Sequence, residues 1–188
     1  VDLHCHGGNS FDTMDGLNSI NNMATYHLSK GTTSLLATTW TSTFEHTYKA
    51  LNGFNKLVNV DSNLLGVHLE GPFINPNKLG AQPPLTQKPN KRFIDEILSI
   101  ADVKIITLAP ELEGMDDFIP FLNEKKIQVQ FGHSLADYNC CTKFINNFKI
   151  GFTHLYNAMS GNDHRNPGVL TAALLNSQYA EIICDLNH

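Results

Sequence analysis

The sequence predicts an α/β fold, a (β/α)8 TIM-type barrel of which this chain carries strands one to seven of eight. Three observations lead there. Apolar, β-rich runs alternate with helical stretches, the mark of a parallel sheet with helical crossovers. Polar residues gather at the C-terminal ends of many runs instead of at one switch point, which is where barrel enzymes place their chemistry. No Gly-rich dinucleotide fingerprint follows Leu3, as an open doubly wound sheet would usually carry.

The strand-like runs cover residues 1–6, 33–39, 64–69, 103–109, 127–131, 150–155 and 181–186. They read as continuous apolar stretches, as buried parallel strands do. Between the first two, Leu17, Ile20, Ala24 and Leu28 fall at helical spacing and Gly31 supplies a stop. Ser42 with Glu45 forms a capping-box pattern, and Phe44, Tyr48, Leu51 and Val58 continue a helical stripe. Shorter helices are expected over 91–100, 116–126, 137–148 and 168–176, the last after the Asn166-Pro167-Gly168 turn. Residues 80–91, with Pro83, Pro84 and Pro89, read as a long loop. No repeat or linker divides the chain, so 1–188 is taken as one partial barrel domain.

Composition narrows the function. Hydrophobic residues make up 41% of the chain and charged residues only 16%. A net charge of −5 argues against a nucleic-acid or anionic-membrane surface. No apolar run approaches the ~20 residues of a membrane span, and no secretory leader is visible. The four cysteines, Cys5, Cys140, Cys141 and Cys184, make no C-x-x-C pair and read as reduced thiols of a cytoplasmic protein. Nine histidines stand against 13 lysines and arginines, and that excess needs a reason.

The strand ends supply it. Strand one ends in His4-Cys5-His6-Gly7-Gly8, strand three in His68-Leu69-Glu70-Gly71-Pro72, strand five in Gly132-His133-Ser134 and strand six in Thr153-His154-Leu155-Tyr156-Asn157. Strand side chains alternate, so His4 and His6 share a face ~7 Å apart, as do His68 and Glu70. Inward residues of neighbouring strand ends converge on one mouth. Imidazoles and a carboxylate there ask for a divalent metal: zinc or iron first, then nickel, cobalt or manganese. Two sets are open: Glu70, His133 and His154 around one metal, and His4, His6 and Glu70 around a second, with Glu70 bridging. A buried Glu70 needs such a cation or a donor beside it. His68 reads equally as a ligand, a ligand's hydrogen-bond partner or a structural residue. His27 and His46, on helical stretches, are expected at the surface.

These motifs, together with the run through Ala158-Met159-Ser160, His164-Arg165-Asn166-Pro167-Gly168 and Tyr179-Ala180-Glu181-Ile182-Ile183, resemble N-acetylglucosamine-6-phosphate deacetylases of the amidohydrolase superfamily, in order and approximate spacing. The resemblance covers essentially the whole chain. It implies Glu70, His133 and His154 as ligands of the principal metal, with His4 and His6 matching the H-x-H that holds a second metal in some members. It also implies a sugar-phosphate site around Asn157 and Ala158, a cation from Arg165 that often reaches across a homodimer, and a substrate contact from His188. Metal-assisted removal of an N-acetyl group from an amino-sugar phosphate is the activity implied. Where part of the family has a histidine that orients the acetyl carbonyl, this chain has Gln82, whose amide can still donate. Gln82→Ala is therefore expected to lower activity without loss of metal.

The family's proton shuttle is an aspartate at the end of strand eight. The chain stops at His188, so no catalytic acid is expected within it, and Asp185 does not fill the role. The start at Val1 without Met and the length of 188 residues, against ~250 for a typical barrel, read as part of a larger protein. The family's small flanking β-domain is likewise expected to be missing. An open barrel exposes two parallel edges, so poor stability of the chain alone is expected. The competing readings are another amidohydrolase, such as a cyclic-amide hydrolase or a deaminase, and a non-catalytic metal- or sugar-phosphate-binding remnant.

Overall fold

The structure is a computed structural model that describes residues 1–58 and 63–188. Among the described residues, one parallel sheet holds six strands: β1 (Asp2–Cys5), β2 (Leu35–Thr39), β3 (Leu64–Glu70), β4 (Val103–Leu108), β5 (Gln128–Phe131) and β6 (Ile150–Phe152). Their spatial order is their sequence order, and every pairing is parallel. Six helices follow them in turn: α1 (Leu17–Ser29), α2 (Phe44–Leu51), α3 (Lys91–Leu98), α4 (Met115–Glu124), α5 (Tyr138–Ile145) and α6 (Val169–Asn176). Strand and helix thus alternate, as in an incomplete (β/α) barrel. A short antiparallel pair, Gly7–Gly8 with Phe11–Asp12, sits just beyond β1.

Local chemistry accounts for most element ends. Asn90 and Asp137 cap α3 and α5, accepting from the backbone N–H of Phe93 and Cys140. The loop expected over 80–91 carries no helix or strand until Lys91. The capping box at Ser42 is displaced by one residue. Thr43 caps α2, accepting from His46 N, while Ser42 Oγ turns to His46 Nδ1 at 2.9 Å. The helix ends at Leu51, so Val58 does not extend it.

The seventh run, 181–186, is not a strand. It touches the sheet at Glu181, whose N–H donates to Phe152 O and whose carbonyl accepts from Leu155 N, both at 2.8 Å. The two bonds do not match a regular parallel register, so the chain leaves β6 after one residue. Asp185 then turns it through a local cap on Asn187 N and His188 N.

Apolar side chains of the helices and the outer sheet face form one continuous core. The inner face is different. His68, Thr107, Thr153 and Gln130 are all fully buried and linked in a chain: His68 Nε2 to Thr107 Oγ1 at 2.7 Å, Thr107 Oγ1 to Thr153 Oγ1 at 2.6 Å, Thr153 Oγ1 to Gln130 Oε1 at 2.8 Å. This polar belt ties β3 to β4, β5 and the residue that follows β6. Gly132 makes room for it, since a Cβ there would lie 2.9 Å from Thr107 Cγ2 and from Thr153 Cβ. Gly132→Ala is expected to destabilise the fold by about 1–3 kcal/mol through overpacking. A melting temperature equal to that of the parent would show that the belt gives way freely.

Candidate metal centre

The parallel sheet brings its carboxyl ends to one mouth, and the sequence motifs at those ends meet there. Glu70, the last residue of β3, is 1% exposed. Its Oε1 lies 3.0 Å from His133 Nε2, 3.0 Å from His154 Nε2 and 3.3 Å from His4 Nε2, and its Oε2 lies 2.9 Å from His6 Nε2. The nitrogens also face one another: His133 Nε2 to His154 Nε2 at 3.0 Å, His4 Nε2 to His6 Nε2 at 3.2 Å. Two donor groups result, Glu70–His133–His154 and His4–His6–Glu70, joined through the Glu70 carboxylate. All five residues singled out as ligands are therefore together.

Hydrogen bonds on the far side of three rings fix which nitrogen carries the lone pair. His133 Nδ1 meets Lys78 O at 2.8 Å, His6 Nδ1 meets Thr38 O at 3.2 Å, and His4 Nδ1 meets Glu181 Oε2 at 3.0 Å. Carbonyl and carboxylate oxygens only accept, so each ring donates from Nδ1 and aims an Nε2 lone pair inward. Lone pairs and a carboxylate packed within 4.8 Å of one another repel unless a cation lies among them. Without one, protons take that part. Burial disfavours a charged His4, but the Glu181 and Glu70 carboxylates outweigh it and push its pKa up to about 10. Burial likewise opposes ionisation of Glu70, yet the four imidazoles hold its carboxyl well below the usual range. The donor set, all imidazole nitrogen and carboxylate oxygen, fits a divalent transition-metal ion.

His68 is a strut. Nδ1 donates to Leu3 O at 2.9 Å and Nε2 lies 2.7 Å from Thr107 Oγ1. Burial and the neighbouring His4 charge depress its pKa to about 4, so it stays neutral. His68 also lies within metal-holding distance of His4 and Glu181, but with both ring nitrogens engaged it has no lone pair to offer. His27 is not a free surface residue as expected. Its Nε2 sits 3.0 Å from Gly7 O and 3.3 Å from Cys5 Sγ, because α1 packs back over the end of β1. His46 is exposed. Burial pushes the Cys5 thiol up to about 11, which leaves it inert between His4 and His6.

The cluster opens into a cavity of about 910 Å³ whose walls include Gln82, Asn157, Ala158 and His188. Gln82 is buried. Its Oε1 accepts from Thr41 N at 2.7 Å, and its Nε2 is thereby turned onto Glu70 Oε2. Asn157 Nδ2 is spent on the carbonyls of His154 and Leu155, so it caps its own turn. Arg165 is exposed and lies outside the cavity walls. His133, His154, Tyr156 and Ala158 hold positive φ of 49°, 30°, 79° and 50°, a strained setting for side-chain-bearing residues that recurs at functional loops.

Three further residues shape the mouth. Trp40 stacks on His6 with ring centres 3.7 Å apart and donates Nε1–H to Asp12 Oδ2 at 2.9 Å. Glu111 accepts from Ser134 Oγ, Leu135 N and Asn75 Nδ2, pinning the loop that carries His133. Glu181 holds His4. The argument that marks Glu70, a carboxylate inside an apolar run, marks Glu181 equally.

A parallel α/β half-barrel with histidines and a bridging glutamate at its carboxyl mouth is the arrangement of a metal-dependent amidohydrolase. No family model matches the chain. It is 35% identical over 201 residues to N-acetylglucosamine-6-phosphate deacetylase of Bacillus subtilis, covering 100% of this chain and 50% of that protein. The solved structure of the Pasteurella multocida enzyme of that name superposes with a TM-score of 0.89 at 31% identity, covering 100% of this chain and 51% of the other. A mutant of the Mycobacterium smegmatis enzyme, solved with N-acetyl-D-glucosamine-6-phosphate, gives 0.83 at 29% identity over 92% of this chain and 46% of that one. The chain is a relative of the N-acetylglucosamine-6-phosphate deacetylases, matched over its whole length. It spans about half the length of the curated relatives it matches.

Metal binding at this cluster is expected to release protons. His4 keeps its proton up to about pH 10 in the metal-free protein, so apparent affinity should rise about tenfold per pH unit below that value for each proton displaced. Calorimetric titration in buffers of different ionisation enthalpy reads this directly; buffer-independent heats would contradict it. Gln82→Ala leaves the buried Thr41 N–H and Glu70 Oε2 each short of a partner, a loss of about 1–3 kcal/mol. Contrary to the expectation from sequence, this variant should retain metal less well than the parent after gel filtration. Equal retention would limit Gln82 to contact with substrate.

Proposed function

We propose that the protein is a metal-dependent amide hydrolase that converts N-acetylglucosamine 6-phosphate and water to glucosamine 6-phosphate and acetate, in amino-sugar catabolism. The observation that carries this reading is the inward convergence of Nε2 lone pairs on a buried Glu70, at the mouth of a cavity large enough for a sugar phosphate. The names of the relatives supply the substrate.

Glu70, His133 and His154 would hold one divalent ion, and His4 and His6 with Glu70 a second, zinc or iron. Such an ion supplies Lewis acidity, polarising the acetyl carbonyl and acidifying water. The chain's own residues do the rest. Gln82 presents its amide edge at Glu70 and can donate to the acetyl oxygen. The backbone at Asn157 and Ala158, set in its strained turn, receives the sugar phosphate, and His188 contacts the sugar. Asp185 does not serve as the acid. Hydrogen bonds from Asn187 N and the His188 ring hold its pKa down to about 2, so at neutral pH it has no proton to give the leaving amine. Arg165, exposed and outside its own cavity, fits a role across a homodimer interface. No helix among the described residues is long and apolar enough to cross a membrane, and the uncapped thiols suit the cytoplasm.

Acetate release by the intact protein from N-acetylglucosamine 6-phosphate and from N-acetylglucosamine tests the reading. The phosphorylated sugar should be strongly preferred, and activity should disappear on dialysis against a chelator and return with zinc or iron(II). Preference for the unphosphorylated sugar would remove the phosphate site. Hydrolysis of a cyclic amide, or deamination, in its place would overturn the assignment.

A further inference from the structure

The second metal pole depends on one side chain that lies far from it in sequence. Glu181 Oε2 accepts from His4 Nδ1 at 3.0 Å, 177 residues away. The Glu181 side chain is 13% exposed, and its other oxygen, Oε1, is buried with no hydrogen-bond partner. Its strongest side-chain partner is the His4 ring, with the His68 ring and the Gln130 amide contributing less. The backbone that presents it is fixed as well, by the paired bonds to Phe152 O and Leu155 N that flank His154. One residue thus joins the strand end that carries His154 to the strand that carries His4, the two edges of the sheet.

We infer that Glu181 is a positioning residue for His4, holding its ring as the Nδ1–H tautomer with Nε2 turned toward His6 and Glu70, and that a divalent cation is held at that pole only while it does so. The inference rests on the two-pole reading of the metal centre. Physically it is the carboxylate–histidine–metal arrangement, in which the outer carboxylate sets ring angle and basicity and typically accounts for 10–100-fold in metal affinity. His6 has a different anchor, Thr38 O with Trp40 stacked on the ring, and the other pole is anchored through Lys78 O. Neither leans on the Glu181 side chain. Its loss should therefore act on one pole and spare the other.

Zinc titration of the intact apo protein against a chromophoric chelator, with melting temperatures measured metal-free, tests this. Parent protein should take up two equivalents and His4→Ala one tight equivalent. Glu181→Leu, of similar volume and without an acceptor, should behave as His4→Ala does, its second equivalent weakened roughly 10–100-fold. Glu181→Gln keeps an oxygen that can accept from Nδ1–H and should retain the second equivalent. Glu181→Ala takes the place of the leucine variant if that one does not fold. Two tight equivalents in both the leucine and glutamine variants would overturn the proposal. Loss of the second equivalent in both, with lowered metal-free melting temperatures, would assign Glu181 to packing and overturn it too. A single equivalent in the parent would overturn the two-pole reading itself, and this inference with it, and is told apart because it appears before any substitution.

Discussion

The Glu70 carboxylate, 1% exposed, has to be neutralised where it stands, and most of the architecture around the mouth follows from that. An unpaired buried carboxylate costs several kcal/mol even after relaxation. Four imidazoles surround this one, and each of their strand-end positions is set by the parallel sheet. Parallel pairing sends every carboxyl end the same way, so the residues that close β1, β3, β5 and β6 meet without any long excursion of the chain. An antiparallel sheet would have scattered them to both ends.

The inward side of the sheet carries the consequence downward. Three of the four rings aimed inward at Nε2 are held at Nδ1, by Thr38 O, Lys78 O and Glu181 Oε2, while His154 Nδ1 is buried without a partner. Below them the belt of His68, Thr107, Thr153 and Gln130 replaces an apolar barrel floor. His68, neutral and bonded at both nitrogens, separates the charged cluster from that floor. A second ionised imidazole beside His4 would compete for the same carboxylates, and burial prevents it.

What could be read from the sequence was what is local. Alternation along a strand puts His4 with His6, and the motif order puts Glu70, His133 and His154 at matching ends, so the cluster follows once the barrel is recognised. Most helices were legible in the same way, to within about three residues, though α2 stops at Leu51, well short of the stripe read as far as Val58. Features that depend on distant partners were not. Thr43 rather than Ser42 caps α2 because Ser42 is drawn to the His46 ring. His27 looks exposed on its helix and is covered because α1 folds over Gly7. Glu111 and Trp40 matter through loops that no periodicity connects. The seventh run has the composition of a strand, yet only Glu181 pairs, since the turn built on Asp185 pulls the following residues away.

A proton takes the place in this cluster that a divalent cation would take, and competition between the two would make the cluster both buried and loadable. In the metal-free state His4 binds its proton more tightly than in the unfolded chain, since its pKa rises from 6.5 to about 10. That contribution to stability is complete below about pH 6.5 and fades as pH climbs through 10. Glu70 has the opposite sign: its depressed pKa stabilises the fold above the ordinary carboxylate range and is lost on acidification. Near neutrality both contributions are present, with a proton on His4 where a cation would lie. A divalent ion then needs only to displace that proton from nitrogens already aimed at it, and the anchors at Nδ1 keep them aimed during the exchange. The same Nδ1 anchors that orient the rings would keep the site ready for such an ion.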